Sequence, residues 1–250
     1  MNDETTRLLI FDDAKATARA AAERFAEIAG ESVRSRGRFS VALSGGSTPR
    51  RIYALLAGDE FRARVDWSKA HVFFGDERCV PSDDEASNYR MAQDALLSLV
   101  PVPVENVHRM IGEGDAVANA RLYEDELRAY FGDVPSPSFD LVMLGLGEDG
   151  HAASLFPETP ALEERGAWVA ANWVEKLGAY RLTLTASVIN SAAHVLFVVV
   201  GAGKAQCLNE VLNWAREPRR LPAQLIRPVR GTLEWYADRA AAAKLEGGEK

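Results

Sequence analysis

FDLVMLGLGEDGHAASLFP, residues 139–157, runs from a purely apolar segment straight into a turn that holds three glycines, two carboxylates and a histidine. Leu141–Leu144 are bulky and unbroken, the pattern of a strand covered on both faces, as in a parallel sheet flanked by helices. The chain leaves that strand at Gly145, and ligands of open α/β sheets collect outside the carboxyl ends of strands. Glu148, Asp149 and His151 therefore fall where chemistry is expected, with His151 and Asp149 as the catalytic candidates. Gly145, Gly147 and Gly150 also spell G-x-G-x-x-G, but a dinucleotide site needs a helix N-terminus facing the pyrophosphate. Glu148 and Asp149 would repel that group, and Pro157 and Pro160 would cut such a helix short. The glycines are read instead as permitting a tight turn. Asp149 and His151 have neither a second histidine at helical spacing nor a cysteine pair beside them, so no metal is expected.

Outward from this stretch, strands and helices alternate. Residues 7–11 and 38–43 read as strands, with a helix between them that repeats Ala14, Ala18, Ala21, Phe25 and Ile28. The segment SGGSTP that follows, Ser44, Gly45, Gly46, Ser47, Thr48 and Pro49, gives a strand, a glycine turn and a helix start, with Thr48 suited to capping. Its backbone N–H groups could hold a phosphate, and the same pattern also suits an ordinary capped helix. Residues 71–74 read as a buried strand, and GDER after it places Asp76 and Arg78 near a strand end. The acidic run Asp83, Asp84, Glu85 reads as solvated, ahead of a helix with Ala92, Ala95, Leu96 and Leu99 on one face. Ala120, Tyr123, Leu127 and Tyr130 mark another helix. Residues 168–173 and 180–185 read as strands, the second carrying Arg181, which needs an anion. Residues 195–200 are the most apolar run, and GAGK brings Lys204 to the start of a helix, without the glycine and Ser/Thr of a Walker motif. Residues 233–236 read as a last strand before an Ala-rich, solvated tail. His71, His108 and His194 read as structural, and Cys79 has no base of its own for a nucleophilic role. This βαβ alternation predicts an α/β fold with a mostly parallel sheet over one domain spanning residues 1–250.

Composition bounds the function. The 250 residues are 47% hydrophobic and 26% charged, ordinary for a globular chain. A formal net charge of -7 argues against nucleic acid as a partner and leaves an anionic substrate dependent on clustered Arg and Lys. No run approaches a membrane span. With two cysteines and a beginning, MNDETTRLLIF, that lacks the pattern of a signal peptide, a cytoplasmic location is expected. Oligomeric state is not legible at this level.

Taken together, SGGSTP at Ser44, GDER and SNY at Gly75 and Ser87, GLGEDGHAASLFP at Gly145, RLTLT and IN at Arg181 and Ile189, and GAGK at Gly201 resemble the 6-phosphogluconolactonases, in order and over nearly the whole chain. The resemblance implies a modified doubly wound, Rossmann-like α/β fold shared with glucosamine-6-phosphate deaminases, with helices on both faces of the sheet. It implies a lactone hydrolase of the oxidative pentose phosphate pathway that uses no metal or other cofactor. His151 would activate water, and Asp149 would orient or charge-stabilise the imidazole. The substrate phosphate would meet Arg78, Arg181 and Lys204, with backbone donors from Gly45 to Thr48 and with Asp76 as a neighbour. Two rivals keep the same phosphate site: a sugar-phosphate isomerase-deaminase, and a non-enzymatic sugar-phosphate sensor. GDER and ASLFP argue against the first, and the absence of room for a DNA-binding appendage against the second.

Overall fold

The computed structural model describes residues 6–245. β1 (Thr6–Phe11) leads into α1 (Ala14–Arg36), which Asp13 caps by accepting from the backbone N–H of Lys15 and Ala16, each at 2.8 Å. The alanine face of α1 is buried against the sheet, where small side chains allow close approach. In order there follow β2 (Phe39–Leu43), α2 (Ser47–Ala57), α3 (Asp59–Arg62), β3 (Ala70–Phe74), β4 (Asp76–Arg78) and α4 (Asn88–Ala92). α5 (Ala116–Phe131), β5 (Leu141–Leu144), β6 (Val169–Val174), β7 (Ala179–Leu184) and the one-turn α6 (Ala186–Ile189) come next. β8 (His194–Val199), α7 (Ala205–Asn213) and β9 (Thr232–Asp238) complete the series.

Six strands form one sheet in the order β1-β9-β8-β5-β2-β3, and every pairing in it is parallel. All four residues of β5 are buried, as its apolar run requires. One hydrophobic core takes residues from Ala18 to Ala242, so the sheet and its helices make a single α/β domain. The order places β8, β5 and β2 side by side in the centre, so the glycine turns that follow these three strands emerge next to one another.

Several local expectations are corrected. Residues 168–173 and 180–185 do form strands, but β6 and β7 join β4 in a separate antiparallel sheet, order β4-β7-β6. The connection of only a few residues between β6 and β7 permits a hairpin and is too short for a parallel crossover. Thr48 does not cap α2: Gly46, at φ 108°, occupies the cap and no side chain accepts there. The helix carrying Leu96 ends in a π turn (Gln93–Leu97), which leaves Leu99 outside it and 48% exposed. Ala241 and Ala242 pack into the core instead of lying in a solvated tail, the last five residues of which are outside the described chain. The three remaining histidines have partners: His71 and His108 lie 3.3 Å apart, His108 contacts Glu126 at 2.8 Å, and His194 contacts Thr232 at 2.8 Å.

Candidate active site

A cleft of about 260 Å³ opens at the carboxyl ends of β2, β5 and β8. Ser44, Gly45, Gly46, Ser47 and Thr48 line it after β2, Gly145, Gly147 and His151 after β5, and Val200 and Lys204 after β8. Asp76, Arg78 and Asn88 supply the remaining polar wall. Nine of the eleven candidates from the sequence thus share one cavity. Asp149 sits behind His151, and Arg181 lies one strand back from Arg78, neither of them on the lining.

The imidazole is fixed from two sides. Its Nδ1 is 2.5 Å from Asp149 Oδ1, and since a carboxylate only accepts, Nδ1 carries the hydrogen, which in the neutral ring leaves the lone pair on Nε2. Its ring stacks on Phe156 with centroids 4.2 Å apart and planes at 29°. Burial works to raise the Asp149 carboxyl, but hydrogen bonds from His151 and Lys176 outweigh it and hold the group far below the usual carboxylate range. Asp149 is therefore a fixed negative charge behind the ring. Gly147 makes the arrangement possible, because a Cβ there would lie 2.0 Å from His151 Nδ1 and 2.7 Å from Asp149 Oδ1.

The turn carrying His151 is held by the small sheet. Ser154 donates its Oγ to Asp76 on β4 at 2.6 Å, donates its N–H to Thr183 on β7 at 3.2 Å, and accepts from Asn172 on β6 at 2.9 Å. One residue from each strand thus satisfies every polar group of Ser154. This clamp accounts for the left-handed conformation of Ala153, φ 48°, which costs an alanine about 1–2 kcal/mol unless neighbours impose it. Asp76 is buried, and Asn88 donates to its backbone carbonyl at 2.9 Å. Gly45 leaves room for that amide, since a Cβ at 45 would fall 1.7 Å from Asn88 Oδ1. Glu77 is structural: it accepts from the backbone of Arg78, Asn88 and Tyr89 and so ties GDER to the start of α4.

Three cations, Arg78, Arg181 and Lys204, stand in or beside the cleft. Arg78 and Arg181 are direct cross-strand partners, and among the described residues neither they nor Lys204 forms an ion pair with a carboxylate. Like charges placed opposite each other destabilise a sheet. Burial, and then the Arg78 guanidinium, push the Arg181 guanidinium below its ordinary value. On the facing wall, the first turn of α2 holds no acidic residue and no side chain caps it. Tyr53 Oη bonds both the N–H and the carbonyl of Ser44, yet the buried Ser44 Oγ has no partner among the described residues. Helix N–H groups and cations without carboxylate partners together make a seat for an anion.

Sequence reasoning missed Asn88, Ser154, Asn172, Phe156 and Lys176. Asn88 lies in the SNY segment and Ser154 and Phe156 in ASLFP, so those motifs held the signal, whereas Asn172 and Lys176 stand in no motif. Among the described residues no cluster of three or more metal-ligating side chains occurs, and no helix is long and apolar enough to cross a membrane.

A parallel sheet with glycine turns at its carboxyl edge, a carboxylate-backed imidazole and an anion seat in one cleft defines an α/β enzyme site for a small anionic substrate. The family model described as glucosamine-6-phosphate isomerases/6-phosphogluconolactonase matches residues 12–235. The chain belongs to that family. It is 42% identical over 218 residues to the 6-phosphogluconolactonase of Synechocystis sp., covering 86% of this chain and 88% of that one. It is 36% identical to the 6-phosphogluconolactonase of Haemophilus influenzae, covering 82% and 87%. The solved 6-phosphogluconolactonase of Trypanosoma cruzi superposes with a TM-score of 0.86 at 29% identity, covering 96% of this chain and 97% of its own. A monomeric glucosamine-6-phosphate deaminase superposes with a TM-score of 0.80 at 20% identity, which shows a shared fold.

Proposed function

We propose that this chain hydrolyses 6-phospho-D-glucono-1,5-lactone to 6-phosphogluconate, the lactone-opening step of the oxidative pentose phosphate pathway. The observation that carries the proposal is the His151–Asp149 pair at 2.5 Å, with the imidazole on the wall of a cleft whose other walls are an uncapped helix start and unpaired cations. His151 Nε2 takes a proton from water as its oxygen bonds to C1 of the lactone. Collapse of the tetrahedral intermediate breaks the C1–ring-oxygen bond, and the proton held on Nε2 passes to the departing oxygen. Asp149 stabilises the imidazolium in between. Arg78 and Lys204 and the N–H groups of Gly45 to Thr48 receive the phosphate, and Arg181 adds charge from behind Arg78. The route needs no metal or organic cofactor.

A sugar-phosphate isomerase or deaminase would share the anion seat. The relatives at 36–42% identity are named 6-phosphogluconolactonases, while the deaminase match stands at 20%. We assign the enzyme to the cytoplasm with no nucleic-acid partner, in keeping with its net charge of -7; rice relatives at 38% identity are described as chloroplastic. The test follows consumption of freshly generated lactone above its spontaneous hydrolysis, for the parent and His151→Gln. The expected loss in kcat is roughly 10²–10⁴ with the fold retained. Near-normal turnover of the variant removes His151 from the role, and an inactive parent removes the lactonase assignment.

A further inference from the structure

We infer that Lys176, at the tip of the β6–β7 hairpin, completes a lysine–aspartate–histidine relay as a positioning residue for His151. The inference rests on the proton-accepting role given to His151 above. Lys176 lies 27 residues from Asp149 in the chain and belongs to the short turn Glu175–Leu177, closed by Gly178 at φ 57°. Its ammonium donates to Asp149 Oδ2, while Oδ1 receives the His151 ring. Each carboxylate oxygen thus has its own partner, so Asp149 cannot rotate toward one without releasing the other. Phe156 joins the two ends of the relay: His151 stacks on its ring at 4.2 Å, and the Lys176 ammonium lies 4.8 Å from its centroid. The neighbouring carboxylate, Glu175, is held by the Trp173 indole at 2.7 Å and does not compete for the lysine.

The sign of the effect follows from the charges around the imidazole. Asp149 favours the imidazolium, and Lys176 opposes it both by offsetting that carboxylate and by direct repulsion. Asp76, Arg78 and Lys204 face the ring from other walls of the cleft. Cys207 packs behind on α7, its thiol pushed up to about 11 by burial first and then by Glu210 and Asp149. None of these bonds to Asp149 among the described residues, so Lys176 is the one cation that acts through the carboxylate. Without it the ring holds its proton to higher pH. Its side chain is 52% exposed, so solvent screening keeps the effect modest.

The experiment uses the full chain with Lys176→Met and Lys176→Arg. The ring signals of its four histidines are titrated by NMR, with His151 assigned through His151→Gln, and kcat/KM on the lactone is profiled from about pH 5 to 8. The expected result for Lys176→Met is an upward move of both the His151 titration and the acid limb of kcat/KM. Near pH 6 this is a loss of about two- to fivefold, and it shrinks in high salt. Lys176→Arg restores the parent profile. A His151 titration that stays in place or moves down in Lys176→Met overturns the relay, whatever the activity. If that titration moves as expected while His151→Gln keeps its turnover, the catalytic reading of His151 fails, and with it the positioning role of Lys176.

Discussion

Replacing Gly147 by alanine separates the stability of this fold from its activity. The backbone at 147 does not enter the left-handed region, so alanine fits it and, by restricting the unfolded chain, contributes about 0.4–1 kcal/mol of stability where it meets no rigid neighbour. What it meets here is the proposed catalytic pair. A Cβ would stand 2.0 Å from His151 Nδ1, 2.3 Å from Cε1 and 2.7 Å from Asp149 Oδ1, whereas unstrained heavy-atom contacts lie near 3.5–4.0 Å. The ring must therefore retreat by roughly 1.5 Å. These atoms belong to side chains that can rotate, so the displacement falls on the site and leaves the strand intact. A misplacement of about 1 Å costs on the order of 10²-fold in rate, and separation from Asp149 adds to it, so kcat falls by roughly 10²–10³. KM changes little, because the anion seat lies on other loops. Thermal unfolding and lactone hydrolysis are measured side by side, with Gly166→Ala as control, where a Cβ would meet only Glu164 at 3.6 Å. The double variant Gly147→Ala with His151→Gln should lose little beyond the larger single effect, because both act on one group. Turnover of Gly147→Ala within severalfold of the parent would refute the assignment of this glycine to clearance for the imidazole. So would a large loss of stability with unchanged specific activity.

Two further outcomes test the anion seat and the clamp. Arg181→Met should lower kcat/KM on the phosphorylated lactone by roughly tenfold or more while leaving unphosphorylated glucono-lactone hardly affected. It should also raise stability by a few tenths of a kcal/mol, about 0.2–1, since it removes the repulsion across from Arg78; equal losses on both substrates would place Arg181 outside phosphate recognition. Lys204→Met should show the same discrimination between substrates without the gain in stability. Ser154→Ala leaves the buried Asp76 carboxylate without its 2.6 Å donor, at a cost of about 1–3 kcal/mol, read as a fall in Tm of roughly 2–12 °C. An unchanged Tm would show that Asp76 finds another partner and that the clamp contributes nothing.

The sequence by itself determined the parallel sheet and pointed to the candidate site at its strand ends. Apolar runs such as Leu141–Leu144 have to be covered on both faces, and the glycine turns after β2, β5 and β8 announce themselves by composition. His151, Asp149, Arg78, Lys204 and the SGGST turn were legible because each stands directly beside a strand end, a short-range signal. Tertiary structure alone decided which strand ends are neighbours: the order β8-β5-β2 brings together turns that follow Leu43, Leu144 and Val199, far apart in the chain, and no local pattern encodes sheet order. It also decided that β6 and β7 leave the main sheet to join β4, which brings two ordinary-looking positions, Asn172 and Thr183, together with the site candidate Asp76 as the clamp on Ser154. Lys176 shows the limit most clearly. A lysine on an exposed hairpin is the commonest of surface residues in sequence, and only the folding of that hairpin over the turn after β5 sets its charge against Asp149. The physical reason is range: backbone propensity and apolar periodicity act over a few residues, whereas hydrogen bonds and charges between distant segments exist only once the core has fixed where those segments lie.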